Sequence, residues 1–445
     1  MVNRSLLLVV VACLLLQPFY SWSEDLSDES RGFDFSGEAR VRYESLDGQF
    51  RSGQTGSDQL FALRNLVRAD FSRAWGKAVL ELHDARTFLD DSGTPLSTSF
   101  VNTAGVLQAY LGVSLGENST LNLGRFTLDI GSRRFVERND FRNTINSFSG
   151  AHWTRTSTAG NSLDVFVVTP VRKLPSDRDE LDSNSYAFDK EDAKRRFWGV
   201  HWQRPDLIED VQLDLFVYGL SESDSGSRPT PNRRVFAPGL RLHRKPSAGA
   251  LDFDVESAYR FGTRRASSEP EAAELDVRAM MLHAEVGYTF TGAWALRIGL
   301  EYDLATGGDG GSSYKRYERL FGTRRGDLGN TSIHGPLTRS NISVPGIRFS
   351  FKRGDTDGRV VIQRADLESA SDQWIVARLG DSAGRFGRHI GTTLDFRVRH
   401  WLRTNSVRLE IGGSALSYGR FAESVAQGPE ETRTLYGYGQ ITWYF

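Results

Sequence analysis

The feature that most constrains this chain is a period-two alternation with charged side chains on one face and apolar or aromatic ones on the other. Glu38-Ala39-Arg40-Val41-Arg42-Tyr43-Glu44 sets Glu38, Arg40, Arg42 and Glu44 against Ala39, Val41 and Tyr43. Leu296 to Asp303 repeats it, with Leu296, Ile298, Leu300 and Tyr302 opposed by Arg297, Gly299, Glu301 and Asp303. Leu394, Phe396 and Val398 oppose Asp395, Arg397 and Arg399, and Val407, Leu409 and Ile411 oppose Arg408 and Glu410. Successive side chains of a strand point to opposite faces, so each segment reads as a strand. A soluble sandwich also alternates, but its core would not tolerate Arg, Glu and Asp. Nor would a solvated outer face need so many glycines and aromatics opposite them. A transmembrane barrel accounts for both faces, apolar toward lipid and polar toward the lumen.

Composition agrees. The 445 residues include 44 Gly, 27 Phe, 14 Tyr and 9 Trp, yet only 39% are apolar, and mean hydropathy is −0.40. No amphipathic helix longer than about three turns can be read, which argues against a leucine-rich soluble core. Nineteen strand candidates fall near 33–45, 60–73, 76–84, 106–115, 119–126, 149–156, 161–169, 195–203, 211–219, 235–245, 249–261, 278–290, 293–305, 341–352, 357–366, 372–379, 390–401, 405–416 and 433–445. Single-chain bacterial barrels have even strand numbers, so one is spurious, with 372–379 or a short early segment the weakest. The expected fold is an all-β transmembrane antiparallel barrel of about 18 strands. Short connections such as Asn118-Ser119 and Thr291-Gly292 suit the periplasmic side. Long polar ones (85–105, 127–148, 170–194, 220–234, 262–277, 306–340 and 417–432) suit extracellular or inward-folded loops.

The two ends of the chain give the compartment. Arg4 precedes an apolar run from Leu6 to Phe19, too short to span a bilayer as a helix. Ser21-Trp22-Ser23 places small residues before Glu24, as in a cleaved secretory signal. Residues 1–23 therefore read as signal peptide and 24–445 as barrel, in the outer membrane of a Gram-negative cell. Val10-Val11-Ala12-Cys13 offers lipidation as the rival; cleavage instead removes Cys13, the sole cysteine, and leaves no disulfide or thiolate site. No globular plug precedes the first strand near residue 33, which speaks against energy-coupled uptake. At the other end, Tyr436 to Phe445 alternates and finishes on an aromatic, with Ile441, Trp443 and Phe445 on one face. Such an end is what outer-membrane assembly machinery reads.

The formal net charge is −1, but 48 of the 55 basic residues are Arg, whose planar fork matches carboxylate and phosphate. A GC-rich genome would produce the same bias. Two loops concentrate these arginines. Residues 124–144 hold Arg125, Arg133, Arg134, Arg138 and Arg142 against Asp129, Glu137 and Asp140; residues 314–327 hold Lys315, Arg316, Arg319, Arg324 and Arg325 against Glu318 and Asp327. Surplus arginine attracts anions and binds them bidentately. The same composition can equally lock a loop by internal salt bridges, with Asp129, Glu137 and Asp140 as the bracing carboxylates. Arg40, Arg42, Arg397 and Arg399 face the lumen by periodicity, where wall electrostatics is their default role.

The stretch LGRFTLDIGSRRFVERNDFRNTINSFSGAHW, Leu123 to Trp153, resembles the alginate-export family of outer-membrane porins. The likeness extends more loosely over the chain, including the closing Phe445 and the arginine-bearing insert before strand 341–352. The resemblance implies an 18-stranded barrel whose lumen is narrowed by folded-in loops and lined by arginines that select an anionic polysaccharide. It makes Arg125, Arg133, Arg134, Arg138 and Arg142 the leading lumen candidates. Alginate itself does not follow.

Catalytic patterns are missing: there is no G-x-S-x-G elbow and no H-E-x-x-H pair. The eight histidines are scattered, with His152, His201, His243 and His283 each in a strand and none at ligand spacing. His83-Asp84 and Asp327 could serve a surface enzyme only if distant strands assembled it. Gly307-Gly308-Asp309-Gly310-Gly311 lacks a lysine-serine ending or a run of oxygen ligands, so it reads as a loop. No enzyme activity, cofactor, metal or nucleic-acid partner is expected. The leading function is a channel for an anionic polysaccharide or oligosaccharide. A porin for small organic anions comes second, and a barrel enzyme or adhesin third. The partners are outer-membrane lipid, the anionic solute and the assembly machinery.

Overall fold

A computed structural model describes residues 32–445 apart from Ser227; the expected signal segment, with Cys13, lies outside the described residues. Eighteen long strands form the wall. They are β1 (Gly32–Asp47), β2 (Ser57–Arg73), β3 (Gly76–Phe88), β4 (Asn102–Ser114), β5 (Ser119–Phe126) and β6 (Phe148–Thr156). Next come β7 (Ser162–Arg172), β8 (Arg195–Ile208), β9 (Val211–Glu222), β10 (Arg234–Arg244), β11 (Leu251–Arg265) and β12 (Glu274–Thr289). The last six are β13 (Arg297–Ala305), β14 (Ile342–Arg353), β15 (Thr356–Asp366), β16 (His389–Arg403), β17 (Val407–Tyr418) and β18 (Arg433–Tyr444). Neighbours in sequence pair antiparallel, and β18 closes on β1 with Trp443 opposite Ala39 and Gln440 opposite Arg42. Closure removes every edge, the requirement for a sheet in lipid.

The nineteenth candidate, 372–379, is not a wall strand. Gln373–Trp374 and Leu379–Gly380 make a two-stranded turn of their own, and the buried Trp374 indole donates to the Pro336 carbonyl at 2.7 Å. Its apolar residues fill a loop instead of facing lipid.

The alternation resolves as read. Glu38, Arg40, Arg42 and Glu44 are buried inside, while Val41 and Tyr43 are exposed outside. On β13, Glu301 and Asp303 are buried and Ile298 and Leu300 face outward. The connections 74–75, 209–210, 354–355 and 404–406 are short and share the periplasmic end, where Trp75, Phe290, Trp294 and Phe445 expose aromatic surface. Phe445 packs near Phe35 at 6.2 Å and Trp443 at 4.9 Å. Gly37 makes room for it, since a Cβ there would lie 2.2 Å from the Phe445 ring.

The lumen is not polar throughout. Phe126, Phe148, Phe166, Phe197, Phe216 and Tyr218, on β5 to β9, turn inward and form a buried aromatic wall. It receives Phe135 from residues 127–147 and Phe321 from residues 306–341. Phe135 lies 4.9 Å from Phe216, and Phe321 lies 4.9 Å from Phe197. Both long loops are thereby drawn inside the barrel.

Candidate functional site: an arginine-lined constriction

The first inward loop is held by its carbonyls. On β1, Arg40 donates to the carbonyls of Asp140 (2.9 Å) and Arg142 (2.7 Å), and Arg42 to that of Phe141 (2.6 Å). On β2, Arg64 reaches the same two carbonyls at 2.6 and 2.9 Å while pairing with Glu38 and Asp140. Asn143 donates to the carbonyls of Leu63, Arg86 and Phe100. A turn projecting into a lumen needs its polar backbone satisfied, and the Arg-Asn-Asp-Phe-Arg-Asn run supplies that fit.

The second loop lies along the first. The Phe321 amide donates to the Phe135 carbonyl (3.0 Å), and the Thr323 amide to that of Arg133 (2.9 Å). Gly322 sits at the crossing, where a Cβ would be 2.0 Å from the Arg134 carbonyl oxygen. Arg134 then ties the loop pair to β11 through Asp254 (3.1 Å) and Glu256 (2.6 Å), and to Asp327 (2.9 Å).

Between these loops and the opposite wall runs a cavity of about 580 Å³. It extends from Pro95 at the extracellular side to Arg408, just past the periplasmic turn 404–406. Eleven arginines line it (Arg40, Arg51, Arg133, Arg142, Arg319, Arg324, Arg325, Arg359, Arg397, Arg399 and Arg408) against Glu137, Asp140 and Glu410. Arg325 pairs with Glu410 at 2.6 Å, and Arg397 and Arg399 share Asp357. Among the described residues the other eight have no carboxylate within 4.0 Å. Several are steered by neutral oxygens: Arg324 donates to the Leu337 carbonyl, Arg51 to that of His334, and Arg359 to those of Gly326 and Arg325.

Such crowding has an electrostatic signature. Burial first, then Arg142 and Arg51, brings Arg324 down to about 9. Burial, followed by Arg142 and Arg324, lowers Arg319 well below its ordinary value. Burial alone would raise Asp140, but Arg64 and Arg40 outweigh it and hold that carboxyl well below the usual range. Glu137 behaves oppositely. Burial and the neighbouring Asp129 push it up to about 7, and its Oε2 is buried with no hydrogen-bond partner.

The sequence candidates divide. Arg133, Arg142, Arg319, Arg324 and Arg325 line the cavity, as do Glu137 and Asp140. Arg134 is consumed by three carboxylates, Arg316 by Asp372 (2.8 Å), and Arg138 lies 3.8 Å from Glu81, with its amide bonded to Asp129. Arg125 corrects the expectation that it faces the lumen. It lies opposite Ala109, two positions from the outward pair Leu111–Leu123, and its guanidinium pairs with Glu191 on the outer face. Its strand extends the motif, and alternation turns the residue outward. Arg51 and Arg359 also line the cavity, and the sequence does not mark them, because a lone Arg in a loop or strand carries no local signal.

Among the described residues, one cluster of metal-ligating groups exists despite the scattered histidines. His283, Asp303 and Asp327 converge, with His283 Nδ1 3.0 Å from Asp303. Arg339 bonds both carboxylates and Arg134 holds Asp327, so guanidinium already supplies the positive charge a cation would bring.

The closed barrel, apolar outside and charged within, with two loops folded inside beside an arginine-lined cavity, is that of an outer-membrane porin. The chain belongs to the alginate export family, whose profile matches residues 32–434. Its fold is shared by Pseudomonas aeruginosa OccK9 (OpdG), at 13% identity and TM-score 0.61, covering 93% of this chain and 98% of that one. It is also shared by P. aeruginosa OccK2 (OpdF) in complex with glucuronate (12%, 0.60, 94% and 98%) and OpdK with vanillate (12%, 0.58, 93% and 100%). A sequence comparison with curated proteins finds no match.

Proposed function

We propose that this porin passes carboxylate-bearing solutes, held transiently by the unpaired arginines of the constriction. The observation that carries this is the imbalance of eight lining arginines without a carboxylate partner among the described residues. A guanidinium held in place by neutral carbonyls keeps its charge and leaves donors free for a bidentate anion. Attraction is strong enough to steer and weak enough to release when several such sites lie in series.

The cavity favours the smaller solute class. About 580 Å³ suits a single acidic sugar or an organic acid, in keeping with the glucuronate and vanillate recorded with OccK2 and OpdK. Passage of an anionic polysaccharide, the reading the family name favours, requires the loop pair to move aside. The same reading takes residues 1–23 as a cleaved export signal, 24–445 as the barrel, and Phe445 as the end engaged by the assembly machinery.

Single-channel recording tests it. Glucuronate should interrupt the current at concentrations where glucose does not, and an acidic oligosaccharide should block for longer. Equal effects of glucuronate and glucose would overturn the proposal.

A further inference from the structure

Most of the buried arginines in this barrel end on a carboxylate; Arg260, on β11, does not. It is 3% exposed, its guanidinium lies 4.5 Å from the centre of the Tyr317 ring, and Nη1 donates to the Glu318 carbonyl. Among the described residues no carboxylate oxygen comes within 4.0 Å of it. Its other two nitrogens, Nε and Nη2, are buried without a hydrogen-bond partner. Those two share the side of a guanidinium whose N–H bonds run parallel, the fork that grips an anion. Among the described residues no other arginine has two buried nitrogens left over.

Arg260 lines a small cavity of about 10 Å³ where β10, β11 and β12 meet the second inward loop, room for one water-sized occupant. Val235, Val277 and Leu320 supply its apolar side. Glu318 stands there too, but both its oxygens are engaged. Arg264 (2.5 Å) and the Tyr314 hydroxyl (2.7 Å) hold Oε1, and Arg233 (3.0 Å) holds Oε2. Arg233 also pairs with Glu222 (2.7 Å), which Arg195 approaches at 3.3 Å. Arg195, Arg233, Arg260 and Arg264 thus meet only Glu222 and Glu318, a surplus of two positive charges. Arg316, at the same cavity, is matched by Asp372 (2.8 Å), and Glu256, the next inward acid on β11, is taken by Arg134 (2.6 Å).

We propose that Arg260 chelates one monatomic anion, chloride, through Nε and Nη2. A buried charge without a counter-charge is costly, and the surplus of arginine calls for a negative occupant. Size excludes the carboxylate-bearing solutes of the constriction, which need far more than about 10 Å³. A water molecule fits, but it has two hydrogens of its own to place. The Glu318 oxygens are already engaged, and Val235, Val277 and Leu320 accept nothing. Chloride has only bonds to receive. Bound there, it ties residues 314–320 to β10 and β11, and so steadies the segment that leads into Arg324 and Arg325.

Thermal unfolding of the full barrel in detergent, read by heat-modifiability, tests this. The midpoint should rise with chloride or bromide and level off, and should not respond to methanesulfonate at equal ionic strength. Arg260→Met, which keeps an unbranched stem without the charge, should lose the halide response. Wild-type crystals grown in sodium bromide should show an anomalous peak within hydrogen-bonding reach of Arg260 Nε and Nη2, which decides the matter even if the variant fails to assemble. Equal midpoints in chloride and methanesulfonate with no bromide peak would make the occupant a water and overturn the proposal. A halide response that survives in Arg260→Met overturns it as well. So does a methanesulfonate response equal to that of chloride, which places the anion in the wider constriction.

Discussion

The two halves of the lumen use the same loops for opposite ends. Toward β5–β12, Phe135 and Phe321 sink into an aromatic wall and Arg134 is saturated by Asp254, Glu256 and Asp327. Toward β1 and β15–β18, Arg142, Arg319 and Arg324 face space with no carboxylate beside them. Residue type alone does not separate a bracing arginine from one free to meet a solute. Whether an acid stands across from it does, because a paired charge has no field left to offer at a distance.

The bracing half should break first. Arg134→Ala leaves buried Glu256 without a guanidinium and takes one of two from Asp254 and Asp327, which keep Arg241 and Arg339. The loss is on the order of 3–5 kcal/mol for a broken buried pair. The yield of heat-modifiable, folded barrel should fall sharply. Recovery of normal barrel would place the anchor elsewhere. Phe135→Ala with Phe321→Ala comes next, each removing a buried aromatic worth about 3 kcal/mol or more. The barrel should assemble, with loosened loops, and single-channel conductance should rise and become noisy. An unchanged conductance would mean that the aromatic wall does not set the aperture.

A smaller effect comes from pH. Glu137, pushed up to about 7 by burial and Asp129, is neutral below that pH and negative above it. Lys173, brought down to about 7 by burial and then Arg142, loses its charge over the same range. Both changes subtract positive charge as pH rises, with Arg133 and Asp140 also facing Glu137. Anion preference should therefore be stronger at pH 6 than at pH 8, and Glu137→Gln should flatten the dependence. A dependence of opposite sign would assign these groups wrongly. Smallest of all is Arg125→Ala, which should leave the reversal potential where it was, because that residue lies outside the wall.

Most of the barrel was legible because lipid and lumen impose opposite chemistry on alternate residues. Eighteen strands, the orientation of β13 and the closing Phe445 all follow from that one rule. It fails where both faces are apolar: Val165, Phe166, Val167 and Val168 on β7 give no clue that Phe166 points inward to grip a loop. The site was half legible. The motif located the first loop, but pairing across some 120 residues, as between Arg134 and Glu256, has no local trace. Nor does periodicity from a strand carry safely into a loop, as Arg125 demonstrates.

The most direct test is the reversal potential in a potassium chloride gradient for the wild type and for Arg142→Ala, Arg319→Ala, Arg324→Ala. At 4 Å in a water-like medium each charge is worth about 1 kcal/mol, roughly fivefold in local anion concentration. The wild type should be anion-selective, and the triple variant should assemble normally yet shift toward the cation side. A cation-selective wild type, or a folded triple variant with an unmoved reversal potential, would contradict the account.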